Sequence, residues 1–351
     1  MDTLTHALSA ALAARATQAS TTKPGQPSPT AHAWAGFLAG AFPDSDIIML
    51  LFGHTAYLNH HRGITHSLVM APLWAVLLAG IFSLLFRRRY SWRAFYEVSL
   101  LAILVHIFGD VITNYGTMIF APFSDYKLAL STTFIIDPYF TGIIVLALLM
   151  GFFSKRHKRA IAQAGFGVLL CYVLAQGWWL RMARESVYAS IPEQILRQAK
   201  VYVLAQPLSP FNWKAVVALP DRYLVKYINL FRHTEKTSRQ TDNIFTHADA
   251  LYLPVNDKRW EVIPRYGGGI VRPFAYRVWQ APAMADIRRF MLLPAVQNVQ
   301  NPPGQNCVWF SDQRFVLRGI RAPFIYGGCA GTDGKKITIM RFADGKPVPL
   351  D

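Results

Sequence analysis

The strongest constraint on this chain is a set of four apolar stretches of about 20 residues crowded into one region: 65–86, 94–113, 135–153 and 160–181. A helix of about 20 apolar residues crosses the hydrocarbon core of a bilayer, and a helix satisfies its own backbone hydrogen bonds there. The pattern therefore predicts a mainly α, polytopic membrane bundle. Two shorter stretches precede the four, 3–16 and 31–53, rich in Ala and Gly, the second broken at Pro43. Small residues let helices approach closely, so these segments read as short spans or half-inserted hairpin arms. The opening residues lack the basic segment of a cleaved export signal, and their apolar run contains His6 and Arg15.

The charges divide the chain in two. Residues 1–181 hold seven of the 20 acids and 13 of the 36 bases, and the remainder lie in 182–351. That shift predicts a helical membrane domain over 1–184 and a polar domain over 185–351. Runs such as RYGGGIVRPFAYRVW (265–279) and NCVWFSDQRFVLRGI (306–320) predict that the second domain is smaller and β-rich or α+β. The basic clusters RRRYSWR (87–93) and KRHKR (155–159) mark cytoplasmic loops by the positive-inside rule. The intervening loops, 54–64 and 114–134, carry one base each, Arg62 and Lys127. The polar domain is then extracytoplasmic, a reading that Arg181 and Arg184 oppose and the two clusters outweigh.

A net charge of +16 invites a nucleic-acid reading, but no basic run beyond residue 160 exceeds two residues. Scattered bases suit an anionic membrane surface or a phosphate-bearing substrate better. Of three cysteines, Cys171 lies in an apolar run, which predicts a small core residue. Cys307 and Cys329 are either a pair, if their domain faces an oxidising compartment, or two unrelated thiols.

Ionisable residues are costly inside a bilayer, at least about 2.5–3.5 kcal/mol each, so those present are functional candidates. Eight of the ten histidines and five compactly placed aspartates lie in the apolar half. His106 and Asp110, in VHIFGDVIT, are four apart and share one helix face. Measured from Ala94 at 1.5 Å per residue, they stand about 18 and about 24 Å up the span, in its outer half. His66 lies at the outer mouth of the first long span and Asp137 at that of the third, so four residues from three helices reach one level.

Imidazole and carboxylate together suit a divalent ion, zinc first, with manganese or iron possible, and no spaced cysteine pair competes. An open metal position lowers the pKa of bound water to about 7 and makes it available for hydrolysis. Two rivals remain: a hydrogen-bonded His106–Asp110 lock between helices, and a transporter's proton relay. His6 is either a polar contact or a ligand. Asp44 and Asp46 flank a helix break, where aspartate is also a common cap. Arg62 offers a fork suited to phosphate or a stem that snorkels to the interface. His32, His54 and His157 carry no signal of their own.

The ordered set DTLTHALSA, FPDSD, HHRGITHSL, HIFGD with TNYG, and IIDP resembles the YdjM-like inner-membrane family of metal-dependent hydrolases, over roughly residues 1–180. That family is in turn distantly similar to the zinc-dependent phospholipase C and single-strand nuclease superfamily, helical proteins that cluster up to three zinc ions and use an H-x-x-x-D helix. The resemblance implies that His6, Asp44 or Asp46, His61 and His66 join His106 and Asp110 as ligands. A second H-x-x-x-D word is missing, so one or two ions are expected. The expected activity is hydrolysis of a phosphoester, lipid-linked among the candidates, with Asp44 or Asp46 as general base and Arg62 as phosphate partner. The expected partners are membrane lipids and that substrate, without nucleic acid. A proton-coupled carrier and a non-catalytic scaffold with structural metal are the alternatives.

Overall fold

The structure is a computed structural model that describes residues 1–18, 25–154, 156–239, 242–297, 306–317, 320–330, 337–343 and 346–350. Lys155 of the second basic cluster lies outside the described residues. The chain forms two compact units, one of Met1–Ile48 with His60–Trp178, the other of Met49–Asn59 with Trp179–Asp351. The division thus falls at Trp178, and a short excursion, Met49–Asn59, leaves the helical unit for the second one.

In the first unit, helix α1 (Thr3–Thr17) is capped by Asp2, whose carboxylate accepts from the Thr5 amide and hydroxyl. Helix α2 (Pro29–Ala41) starts with a Ser28 cap and Pro29 in the first turn. The two run antiparallel with almost no side chain between them. A Cβ on Gly40 would fall 2.3 Å from the Ala10 Cβ, and one on Gly36 2.6 Å from the Ala14 Cβ. A Gly-x-x-x-Gly face therefore packs on Ala10 and Ala14 as small-residue faces do in bilayers. Pro43 then stops α2, and the chain continues as a 3₁₀ segment, Phe42–Phe52.

Helix α3 (His54–His60) and a 3₁₀ turn (Ile64–His66) lead to α4 (Ala71–Leu85), α5 (Trp92–Val111), α6 (Pro138–Phe153) and α7 (Lys158–Ala189). The first long apolar stretch is not one straight helix: the His54–His66 segment meets Ala71–Leu85 at 81°. Pro72 in the first turn of α4 offers no N–H to a continuing helix, and the Ser67 hydroxyl accepts the Val69 amide instead. Three helical segments are long and apolar enough to cross a membrane: Pro29–Phe52, Trp92–Val111 and Lys158–Ala189, with the bent pair as a fourth. Outward leucines and phenylalanines on α4 and α6, such as Leu73, Leu84, Phe152 and Phe153, suit a lipid environment. Helix α5 packs against α1, α2 and α4. Its buried stripe runs Phe95, Ser99, Ala102, His106 and Asp110, a helical period that carries two ionisable residues into the core.

The second unit is β-rich. A meander of β1 (Lys200–Ala205), β2 (Asn212–Ala218) and β3 (Arg222–Asn229) is extended by the short β4 (Leu253–Pro254) and β5 (Glu261–Pro264), both on β3. A second antiparallel sheet has the order β10 (Lys346–Pro349), β9 (Ile337–Ala343), β8 (Ile325–Ala330), β7 (Asn306–Asp312), β6 (Pro294–Gln297). Short helices α8 (Glu193–Leu196), α9 (Ile244–Ala250), α10 (Val271–Gln280) and α11 (Ala285–Phe290) complete the unit. Cys307 and Cys329 lie directly opposite one another on β7 and β8 and form a disulfide. Lys214 is wholly buried on β2; its ammonium donates to the Gln313 and Val316 carbonyls, while burial pushes its pKa down to about 7. The excursion is held within this unit by His54 Nε2 at 2.8 Å from the Tyr326 hydroxyl and by Asn59 donating to Asp286.

Candidate metal centre

Three local structures of the helical unit deliver the site. The last two turns of α5 present His106 and Asp110 from its buried stripe. The 3₁₀ segment after Pro43 presents Asp44 and Asp46, because the break turns successive side chains away from the path α2 would have followed. The third is the tight turn into Ile64–His66, in which Arg62 adopts a left-handed φ of 58°. A bulky residue holds that conformation only under constraint. Here the Asp46 carboxylate accepts the Arg62 amide at 2.8 Å, and the Arg62 carbonyl accepts from Met118.

Asp44, His66, His106 and Asp110 form a group able to hold a metal ion, each offering one atom within 4.8 Å of all the others. His66 Nε2 and His106 Nε2 are 3.1 Å apart. Asp44 Oδ1 stands 3.6 Å from each of these nitrogens, and Asp110 Oδ2 stands 3.1 Å from His66 and 3.6 Å from His106. Tetrahedral zinc with N and O ligands at about 2.0–2.2 Å has ligand–ligand edges of about 3.3–3.6 Å. Of five of the six edges, three at 3.6 Å lie at the long end of that range and two at 3.1 Å lie just below it, a set that a four-ligand shell accommodates.

The protonation pattern points the same way. His106 Nδ1 lies 2.6 Å from the Gly40 carbonyl, which only accepts, so that nitrogen carries the proton and Nε2 keeps its lone pair in the neutral ring. His66 Nδ1 faces the Thr65 hydroxyl and Asp46, so its Nε2 is likewise turned inward. Asp110 Oδ2 is buried and accepts no hydrogen bond of adequate geometry, despite its nearness to His66. Two imidazole nitrogens and two carboxylate oxygens thus converge on one point, which suits a cation or a shared proton.

A second layer fixes the first. Asp110 Oδ1 accepts from His6 Nε2 at 2.9 Å, Arg62 at 2.9 Å and the Met1 α-amine at 2.6 Å. His6 also stacks on His106 at 3.7 Å between ring centroids, in a space that Gly109 leaves open. Asp44 uses its other oxygen to accept the Thr3 hydroxyl. Such partners orient ligands and set which nitrogen is available. Asp44 is the most exposed of the four, with 16% of its side-chain surface accessible, so the centre is approached past Asp44.

Not every candidate joins the four. Asp46 and His61 pair with each other at 3.0 Å, and Asp46 reaches His66 Nδ1 at 3.5 Å, one step from the group. His6 reaches it through Asp110. Arg62 is buried, its terminal nitrogens engaged by Asp110 and Thr113 and its guanidinium over the Tyr115 ring. Asp137 lies elsewhere: it caps α6 through the Tyr139 and Phe140 amides and accepts from Tyr172 and Gln176 of α7. Thr3, Thr113 and the Gly40 carbonyl also belong to the surroundings of the group, beyond the residues that the sequence singles out. The two threonines were readable as members of TLTH and DVIT; a backbone carbonyl leaves no signal in a sequence.

The model of the YdjM inner membrane protein family matches residues 1–183. The chain belongs to that family. The match spans every residue of the centre and ends near the close of the helical unit. YfhP of Bacillus subtilis (strain 168), named an uncharacterized protein, is 26% identical over 191 residues. That similarity covers 54% of this chain and 56% of YfhP, so the chain spans about half the length of this relative. No solved structure matches.

Proposed function

We propose that this chain is a metal-dependent hydrolase of the inner membrane acting on a phosphoester, a lipid-linked one first. The observation that carries the reading is the meeting of His66 Nε2, His106 Nε2, Asp44 and Asp110 at edges of 3.1–3.6 Å, with one carboxylate oxygen left without a hydrogen bond. The nitrogen and oxygen donors favour zinc, and manganese or iron accept the same set. A divalent ion held there supplies Lewis acidity to a phosphoryl oxygen and brings the pKa of water toward about 7.

The chain's own residues do the rest. Asp44, His66, His106 and Asp110 hold the ion. His6 and Arg62 secure Asp110 from behind; with both terminal nitrogens engaged, Arg62 serves as an anchor better than as a phosphate partner. The Asp46–His61 pair takes up the proton that hydrolysis releases, Asp46 orienting the ring through Nδ1. We further read the chain as multi-pass, with the basic clusters cytoplasmic and the second unit periplasmic. The Cys307–Cys329 disulfide supports that side, since disulfides persist in oxidising compartments.

The test is a panel of phosphodiesters and phospholipids given to the detergent-purified protein, with and without a chelator. The expected result is hydrolysis abolished by chelation, restored by zinc, and lowered about 100-fold or more in His61→Ala, the usual scale for losing a general base. Metal-loaded protein inert across the panel would overturn the hydrolase reading. Metal-free protein that moves protons or solute across vesicles would favour the carrier instead.

A further inference from the structure

The helical unit contains a second feature, remote from the His/Asp group along α1. A groove of about 410 Å³ runs between α1, α2 and α6, within the about 300–1,000 Å³ range of small-ligand sites. Its α1 wall is Leu8, Ala11 and Arg15, one helix stripe about 10 Å long. Ala11 and Ala33 are buried at its base, and Trp34, Phe37, Leu149 and Phe152 stand around them. Apart from Arg15 and Thr30 the lining is apolar.

Arg15 is the unexplained member. Among the described residues no carboxylate pairs with it, and the sequence holds no Asp or Glu between Asp2 and Asp46 other than Asp44, which belongs to the metal group. A guanidinium at the end of an apolar groove, on helices with lipid-suited outer faces, thus has no counter-anion among the described residues. Helix α6 runs alongside α1 in the same direction, with Thr141 against Thr5 and Ala147 clustered with Leu12, which puts Phe152 at the Arg15 end. Gln163 of α7 donates to the Ala16 carbonyl, so the chain segment that carries Arg156, Lys158 and Arg159 starts near the same end. Basic residues beside a bilayer gather anionic lipid.

We propose that this groove is a binding site for one anionic phospholipid, an acyl chain lying over Ala11 and Ala33 and the headgroup phosphate on Arg15. The fork of Arg15 suits phosphate oxygens, and the alanine floor leaves room for the chain. The site is independent of the metal group and of the hydrolase reading.

The test uses the full chain, stripped of lipid by detergent washing and given phosphatidylglycerol or phosphatidylethanolamine, with bound lipid counted by native mass spectrometry. Wild type is expected to keep one phosphatidylglycerol, at least five-fold in preference to phosphatidylethanolamine. Arg15→Gln should erase the preference while leaving some binding of either lipid, and Ala33→Leu, which fills the floor, should reduce both. Equal retention of the two lipids by wild type, or an unchanged preference in Arg15→Gln, would overturn the proposal. Should Ala33→Leu fail to fold, the Arg15→Gln comparison still decides.

Discussion

At the scale of single residues, Asp110 is the pivot of the centre. One oxygen gathers His6, Arg62 and the Met1 amine, while the other faces the two imidazoles. Asp110→Asn removes the charge that balances two buried cations, and breaking a buried ion pair from one side costs about 3–5 kcal/mol. With metal removed by a chelator, Asp44→Asn disturbs the hydrogen bond from Thr3 and the 3.6 Å contacts with His66 and His106 at a partly exposed position, worth about 1 kcal/mol. Unfolding of both variants in detergent should therefore separate them by at least about 2 kcal/mol, the difference between those two costs. Equal stability would show that Asp110 does not carry the charge balance assigned to it. The pairing of His106 with Asp110 was legible from spacing alone, because a four-residue interval fixes both height and face on one helix. Asp137 shows the limit of that logic. Height along a span can be counted from sequence, whereas the direction a residue faces around a neighbouring helix depends on packing. Asp137 turns to its own helix N-terminus, Tyr172 and Gln176.

At the scale of elements, the centre depends on how closely α1 and α2 approach. Gly40 lies against Ala10 and His6 and offers its carbonyl to His106 Nδ1. Gly40→Ala would set a methyl 2.3 Å from the Ala10 Cβ, so the helices must separate and the carbonyl must leave His106. We expect about 1–3 kcal/mol of destabilisation from overpacking, together with loss of bound metal. Gly80→Ala, where the added Cβ meets nothing within 4 Å, is the matched control and should keep its metal. Metal retained in both variants would mean that the Gly40 carbonyl does not orient His106. The sequence made the Ala- and Gly-rich character of both helices plain, and with it their close packing. It did not reveal the 81° bend before α4. An unbroken apolar run through Pro72 reads as one span because hydropathy averages over the residues at which a helix stops.

At the scale of the whole molecule, a helical membrane unit holding a His/Asp centre is followed by a disulfide-bonded β-rich unit. The sidedness prediction belongs here. A phosphatase fused after the second unit should be active and a fluorescent protein fused there dark, because the phosphatase needs an oxidising compartment to form its disulfides. A bright fluorescent fusion would reverse the assigned orientation. Two-unit organisation was legible from the charge distribution, but the transfer of Met49–Asn59 to the second unit was not. That transfer rests on contacts distant in sequence, such as His54 with Tyr326, which local pattern cannot register. Whether the His/Asp group holds a metal is tested by elemental analysis of the purified protein beside His106→Ala. Wild type should hold about one divalent ion per chain, the number that one four-ligand shell holds, and the variant near none. Near-zero metal in both, or equal metal in both, would contradict that expectation.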